Sequence, residues 1–157
     1  MSIVESHRLF RNLKSPLVWW TLPHEDGPTI GRCYVAGPMT GHPQFNYRAF
    51  DAARDVLAEE GWMVINPADL DRQNLNVDFS KMDGTEDLSA FTTRFARQDI
   101  ESLLLVDRVF LLPGWERSTG ANNEARIATM LGVPCFSFAT REQVTIDARF
   151  SNTAAPK

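Results

Sequence analysis

The chain has 157 residues, of which 43% are hydrophobic and 23% charged. These values are typical of one globular domain and exclude a disordered or fibrous protein. Twenty acidic against sixteen basic side chains give a net charge of -4. That balance argues against binding to a nucleic-acid polymer, which needs a basic face. Since the sequence has neither an apolar run near the roughly 18 residues of a membrane span nor a secretory signal, we expect a cytoplasmic protein without a membrane partner.

Residues 1–30 are predicted to form an N-terminal arm that packs on the main domain or on a partner chain. The apolar run 17–22 fits a short strand, and a turn-like stretch with Pro and Gly residues follows it. Trp19 and Trp20 within this run require burial. At the other end, residues 151–157 are small and polar, which predicts a flexible tail.

Strand and helix patterns alternate along residues 31–150. The strands are short apolar runs, and the helices have apolar residues at three- and four-residue spacing. In chain order these elements are strand 32–36, helix 45–60, strand 62–65, helix 87–105, strand 108–112, helix 121–131 and strand 133–138. The alternation predicts a single α/β domain with a Rossmann-like, doubly wound parallel sheet of four to five strands.

Ligands of such sheets bind beyond the carboxyl ends of the strands. Three loops are expected to gather there: 37–43, 66–69 and 113–120. The second loop continues into a polar connection, 70–86, whose length is unusual in a small domain unless it forms a lid or an interface. The function is therefore predicted to lie at this edge of the sheet.

Two carboxylates near these loops are candidates for chemistry. Glu124 is expected in the first turn of a helix, where the helix dipole keeps a carboxylate ionised, as a nucleophile requires. It also fits an ordinary glutamate at a helix start. Asp99 lies on a largely apolar helix stripe, so it needs either a task or a salt bridge to Arg94 or Arg97. The histidines show no metal-ligand spacing, and we expect neither a metal nor a cofactor.

Several short segments together resemble one family. They are 34–41 (YVAGPMTG), Asn46 with Phe50, 66–68 (NPA), Arg97 with Asp99, Asp107, and 112–128 (LPGWExSxGAxxExxxA). This set, over about residues 32–138, resembles the uncharacterised phage and bacterial branch of the nucleoside 2-deoxyribosyltransferase superfamily. That superfamily also includes deoxynucleoside 5'-monophosphate N-glycosidases and cytidine-monophosphate hydrolases.

The resemblance implies a role for each matching residue. Glu124 takes the place of the nucleophile, Asp99 that of the aspartate that assists departure of the base, and Tyr34 that of a tyrosine in contact with the nucleophile. Ser118 stands where the monophosphate hydrolases hold a 5'-phosphate and the transferases have an aspartate. The implied substrate-binding set is Gly37, Met39, Thr40, Gly41, Asn46, Trp115, Ser118 and Gly120. A serine and an arginine of the monophosphate hydrolases are replaced here by Pro38 and Thr40.

The implied function is an N-glycosidase that cleaves the base–sugar bond of a (deoxy)nucleoside 5'-monophosphate through a glycosyl-glutamate intermediate. It needs no cofactor, and such relatives are typically homo-oligomers in which a neighbouring chain completes the pocket. The alternatives are a base-exchanging deoxyribosyltransferase and a nucleotide-binding module without turnover. A phosphoribohydrolase of the cytokinin-activating type fits less well, because Trp115 replaces a glycine of its motif and the spacing from Pro113 to Gly120 is too long.

Overall fold

The computed structural model describes residues 8–23, 27–77 and 79–147. These residues form one mixed α/β domain. The seven strands are β1 (Leu9–Arg11), β2 (Trp19–Thr21), β3 (Gly31–Ala36), β4 (Trp62–Ile65), β5 (Arg108–Leu111), β6 (Cys135–Ser137) and β7 (Gln143–Val144). The four α-helices are α1 (Tyr47–Glu59), α2 (Pro67–Asn74), α3 (Thr92–Leu103) and α4 (Thr119–Met130).

All seven strands belong to one sheet with the order β1-β2-β4-β3-β5-β6-β7. The four central strands, β4, β3, β5 and β6, run parallel to one another. Strands β1, β2 and β7 extend the sheet by antiparallel pairing. The chain leaves β3 toward β4 on one side and later returns to β5 on the other side. The gap between β3 and β5 is therefore the point where the direction of winding reverses, which is where open α/β sheets bind their ligands.

Side chains alternate between the two faces of the sheet, because successive residues of a strand point to opposite sides. Along β3, Cys33 and Val35 join the apolar cluster that contains α1 residues such as Phe50. Tyr34 and Ala36 join the second cluster, which contains residues of α3 and α4. Helices thus cover both faces, and Tyr34 is directed toward α3 and α4.

The sheet is wider than the four to five strands expected from the sequence. Residues of the arm supply β1 and β2, so the arm extends the sheet beside β4. Trp20 is buried in the core, and Trp19 is half-buried with Arg11 stacked 5.5 Å from its ring centroid. The seventh strand, β7, has only two residues and was not predicted. The predicted tail, 151–157, lies outside the described residues.

The connection 70–86 was expected to be a loop, but part of it is helical. Its first part belongs to α2, which starts with Pro67 as the first helical residue and Asn66 as the cap, whose side chain accepts from the Ala68 N–H at 3.1 Å. Helix α3 begins at Thr92 rather than at 87, after a short 3-10 turn at Ser89–Phe91. No helix of the described residues is long and apolar enough to cross a membrane.

Candidate active site

A cavity of about 1050 Å³ opens at the carboxyl edge of the central strands. Its wall includes one residue from just after each of β3, β4 and β5, namely Gly37, Pro67 and Pro113, which lie one or two positions beyond the strand ends. The segment before α3 and the first turn of α4 complete it. Seven of the residues singled out from the sequence line this cavity: Gly37, Met39, Thr40, Asp99, Ser118, Gly120 and Glu124.

Tyr34 and the two candidate catalytic carboxylates meet at this cavity. Tyr34 is fully buried on β3, and its hydroxyl donates a hydrogen bond to Glu124 Oε1 at 3.1 Å. Burial, together with the charges of Asp99 and Glu124, raises the pKa of Tyr34 well above its usual value, so the phenol stays protonated and acts as a donor. Asp99 from α3 and Glu124 from α4 both face the cavity.

The structure corrects the expectation that Glu124 is an ionised residue of a first helical turn. Because Ser118 caps α4 and Thr119 starts it, Glu124 lies in the second turn. Burial and the neighbouring charge of Asp99 raise the pKa of Glu124 well above its usual value. Burial and the charge of Asp71 raise the pKa of Asp99 to about 7, although Tyr34 and Glu124 act in the opposite direction. The two carboxyls therefore titrate as a coupled pair, and the pKa of each is raised above its ordinary value.

Asp99 does not form the salt bridge that was its alternative explanation. No ion pair joins it to Arg94 or Arg97 within the described ranges, and both arginines are exposed. Its Oδ1 atom is buried without a hydrogen-bond partner. A buried, unpartnered carboxylate oxygen beside a cavity is costly unless a ligand satisfies it. Asp99 therefore presents an unsatisfied acceptor atom beside the cavity.

The first turn of α4 forms one wall of the cavity through Ser118, Thr119 and Gly120. Ser118 Oγ accepts the N–H of Ala121 at 3.2 Å, which leaves its own hydrogen free to donate. The N–H groups of Thr119 and Gly120 have no acceptor inside the helix, as is general for a first turn. Arg117 lines the cavity as well. This wall is suited to an anion, because it combines helix N–H donors, a hydroxyl and a guanidinium.

Asn122 is a residue that the sequence analysis did not single out. Its Nδ2 donates to the carbonyls of Trp115, Glu116 and Ser118 at 2.9–3.1 Å. Asn122 thereby fixes the turn Trp115–Arg117 against the start of α4. This half-buried polar position gives no sequence signal, because the role of Asn122 depends on three carbonyls that only the folded turn brings together.

The remaining residues singled out from the sequence do not line the cavity: Tyr34, Gly41, Asn46 and Trp115. Tyr34 contacts the site from β3 through its hydrogen bond to Glu124. Asn46 supports the first loop, because its Nδ2 donates to the Pro38 carbonyl at 2.9 Å. Gly41 adopts a φ of 82° and donates its N–H to the Gly84 carbonyl at 3.1 Å. Trp115 is packed against the apolar cluster on the α3 and α4 face. It therefore does not line the cavity, although the resemblance placed it in the substrate-binding set.

A family model described as a domain of unknown function (DUF4406) matches residues 31–137. The chain belongs to this family. The DUF4406 range contains every residue that lines the cavity, whereas β1 and β2 precede it. Comparison with curated proteins and with solved structures gives no match.

A third buried carboxylate, Asp71, lines the cavity of this DUF4406 domain. The Tyr47 hydroxyl donates to Asp71 Oδ2 at 2.6 Å, and Gln98 Nε2 donates to Oδ1. Burial raises the pKa of Asp71 to about 7, although both hydrogen bonds and the charge of Arg72 act in the opposite direction. The sequence carries a signal for this residue: Ala68, Asp71 and Leu75 share helical spacing, which places Asp71 on the buried face of α2.

The connection before α3 covers the cavity mouth through residues 86–89 and is held against the first loop. Gly41 N–H donates to the Gly84 carbonyl and Gln44 N–H to the Met82 carbonyl, each at 3.1 Å. A Cβ on Gly84 would lie 1.8 Å from the His42 carbonyl oxygen, so only glycine permits this approach. The part of 70–86 that is not helical thus packs against the first loop, and Glu86 at its end reaches the cavity wall.

Within residues 8–23, 27–77 and 79–147, no group of three or more His, Cys, Asp or Glu side chains is arranged to hold a metal ion.

Proposed function

We propose that this protein is an N-glycosidase that cleaves the base–sugar bond of a (deoxy)nucleoside 5'-monophosphate through a covalent intermediate on Glu124. The observation that carries the proposal is the buried Tyr34 hydroxyl donating to Glu124, with Asp99 beside them and its Oδ1 unpartnered at the wall of a large cavity. One carboxyl to attack and a second to handle the leaving group are the requirements of a retaining glycosidase.

The fold supports the proposal. We propose that the four parallel strands, in the order β4-β3-β5-β6 with helices on both faces, represent a Rossmann-like doubly wound sheet with added antiparallel strands. The cavity lies at the reversal point between β3 and β5, the usual ligand position of such sheets.

The anion-binding wall fits the 5'-phosphate. Thr119 and Gly120 offer backbone N–H groups, Ser118 offers its hydroxyl and Arg117 its charge. Thr40 lines the same cavity and adds a further hydroxyl donor from the first loop. These groups would supply the phosphate contacts that the monophosphate hydrolases make with a first-loop serine and arginine, which this chain lacks.

The reaction follows from this arrangement. The Glu124 carboxylate forms a bond to the sugar C1' while the C–N bond breaks, and the electron pair of that bond goes to the base nitrogen, which takes a proton from Asp99. Water then attacks C1', the C–O bond to Glu124 breaks, and Asp99 accepts the proton of the water. The products are the free base and the sugar 5-phosphate, and both carboxyls return to their first state.

The shared proton is part of this scheme. Burial raises the pKa of both carboxyls, and we propose that the coupled pair shares one proton before the substrate reacts. Positive charge that develops at C1' above Glu124 stabilises the ionised form of that carboxyl, so the proton passes to Asp99 beside the departing base. Proton transfer within a coupled pair thus prepares the nucleophile and the acid in one step.

A second candidate is a nucleotide-binding module without turnover. The observation that favours it is the raised pKa of Glu124, because a protonated glutamate is not a nucleophile. In that case the cavity would bind a nucleotide and leave its C–N bond intact.

Incubation with a panel of ribo- and deoxyribonucleoside 5'-monophosphates and the matching nucleosides tests the proposal, with free base followed by chromatography. We expect base release from monophosphates, a loss of at least about 10³-fold in Glu124→Gln, and no loss in the control Glu116→Gln. Glu116 is a suitable control because its side chain belongs to the neighbouring turn and does not line the cavity. Release only when a second base is added would indicate a transferase. Tight binding without release would favour the binding module.

A further inference from the structure

Asp71 is a buried carboxyl of the cavity wall that the proposed reaction does not use, whereas Glu86 and Asp87 of the same cavity are exposed. Asp71 is 3% exposed, it lies on α2 immediately after β4, and it belongs to the cavity wall. A buried carboxyl without a structural ion pair is costly, so its position in a ligand cavity requires an explanation.

The hydrogen bonds around Asp71 make it an acceptor. Tyr47 and Gln98 each donate to one of its oxygens. The amide of Gln98 is fixed in this orientation, because Asn74 Nδ2 donates to Gln98 Oε1 at 3.1 Å and to the Leu17 carbonyl at 2.7 Å. Two held donors leave the free lone pairs of Asp71 available to N–H groups of a ligand.

Asp71 lies across the cavity from the anion-binding wall. That wall starts after β5, whereas α2 starts after β4, and β3 separates the two strands. Two strand spacings amount to about 10 Å, so the two walls bind different parts of one ligand. A nucleotide with its phosphate at α4 would direct its base toward α2.

The wall near Asp71 is aromatic, as a base site requires. Phe45, Phe50 and Phe95 line the cavity. The ring of Phe45 lies 6.4 Å from the ring of Tyr47, which donates to Asp71. Apolar ring faces with a single well-placed acceptor are typical of a pocket that orients a flat heterocycle.

We infer that Asp71 selects bases that carry an exocyclic amino group, as in cytosine and adenine, over their oxo counterparts, uracil and hypoxanthine. The inference rests on the proposed function, because it takes the ligand to be a nucleotide. An amino group donates to the free lone pairs of Asp71. An oxo group at the same position instead turns its own lone pairs toward the buried carboxylate, whose free lone pairs then have no donor. A site that is built to accept a hydrogen bond from its ligand strongly rejects an analogue that lacks the donor.

The test measures binding of dCMP, dUMP, dAMP and dIMP by calorimetry at pH 8, to Glu124→Gln protein so that the ligands stay intact. We expect the amino member of at least one pair to bind about 10- to 100-fold more tightly than its oxo member. Adding Asp71→Asn should reduce that ratio at least tenfold, because an amide presents a donor as well as an acceptor. Asp107→Asn, at an exposed ion pair outside the cavity, should leave the ratio unchanged.

The outcomes separate this inference from the proposed function. Equal binding of amino and oxo nucleotides, or a preference that survives Asp71→Asn, overturns the inference even if the wild-type protein releases base. A preference that depends on Asp71 supports it even if no base is released, in which case only the proposed chemistry fails. No binding of any nucleotide overturns both. If Asp71→Asn does not fold, the ratio measured with Asp71 intact still decides, since a ratio near one overturns the inference.

Discussion

Replacement of Asp71 by Asn is expected to change how stability depends on pH. The pKa of Asp71 is about 7 in the folded protein against 3.8 as its ordinary value. Between these values the folded state holds a proton that the unfolded state has lost, so stability falls as the pH rises and levels off above 7. Asp99 and Glu124 face the same cavity and act in the same direction, whereas Arg72, Tyr47 and Gln98 limit the rise for Asp71.

The magnitude follows from the width of the window. Each pH unit in this window lowers the free energy of unfolding by about 1.36 kcal/mol. From pH 5 to pH 7, Asp71 alone therefore lowers it by about 3 kcal/mol. We expect the free energy of unfolding, measured with urea, to fall between pH 5 and pH 8. This fall should be about 3 kcal/mol smaller in Asp71→Asn than in the wild-type protein.

Asp107→Asn provides the matched control. Arg32 holds the pKa of Asp107 below its ordinary value, so this carboxyl is ionised in both states between pH 5 and pH 8. Its replacement should lower stability equally at the two pH values. If Asp71→Asn loses as much stability between pH 5 and pH 8 as the wild-type protein, the reasoning about a buried, proton-holding Asp71 is refuted.

Three further substitutions test other parts of the site. Tyr34→Phe removes the donor to Glu124 and should therefore raise the pKa of Glu124 further. The acidic limb of the pH profile of kcat/KM should then move to higher pH, and kcat/KM at pH 6 should fall about tenfold. Ser118→Ala removes the α4 cap and one phosphate donor, which should cost about 1 kcal/mol in urea unfolding and weaken nucleotide binding about tenfold while nucleoside binding is unchanged. Gly84→Ala should separate the cover from the His42 carbonyl, which should raise KM about tenfold and lower the free energy of unfolding by about 1–3 kcal/mol.

Each of these expectations has an outcome that contradicts it. An unshifted pH profile in Tyr34→Phe would mean that the hydroxyl does not tune Glu124. If Ser118→Ala weakens nucleotide and nucleoside binding equally, the phosphate is not bound at the start of α4. Gly132 also has a positive φ, 75°, but a methyl group there would meet no atom within 4 Å, so Gly132→Ala reports the backbone strain alone. If it raises KM as much as Gly84→Ala, close packing of the cover is not the cause.

Three of the four central strands, β3, β4 and β5, were predictable from the sequence because each is a mainly apolar run followed within two residues by Gly, Asn or Pro. The strand predicted at 62–65 has those same limits in the structure, and the one predicted at 108–112 ends one residue earlier. The short strand predicted in the apolar run 17–22 is present as β2, whereas β1 has three residues, carries little pattern and was not predicted. Their pairing depends on the edge of β4, a contact between distant parts of the chain that local periodicity does not contain.

Helix α2 was missed although its start was visible. Asn66 and Pro67 were interpreted as the end of a strand, but Asn as a cap followed by Pro at the first position is also a helix start. This error hid Asp71, whose helical spacing from Ala68 and Leu75 would have placed it on a buried face.

The candidate site was predictable in its residues and less so in its electrostatics. The resemblance selected Tyr34, Asp99 and Glu124, which the structure brings together. The helix-dipole argument for an ionised Glu124 failed because burial beside Asp99 outweighs a dipole contribution of a few tenths of a kcal/mol to about 1 kcal/mol. Burial is a property of the assembled elements, so no stretch of sequence reveals it.

The intact mass of the protein, quenched with acid during turnover of a deoxynucleoside 5'-monophosphate, tests the central claim most directly. We expect a mass increase equal to one sugar phosphate residue, mapped by peptide analysis to Glu124 and absent from Glu124→Ala. Free base released at the wild-type rate by Glu124→Ala, with no adduct on the wild-type protein, would contradict it.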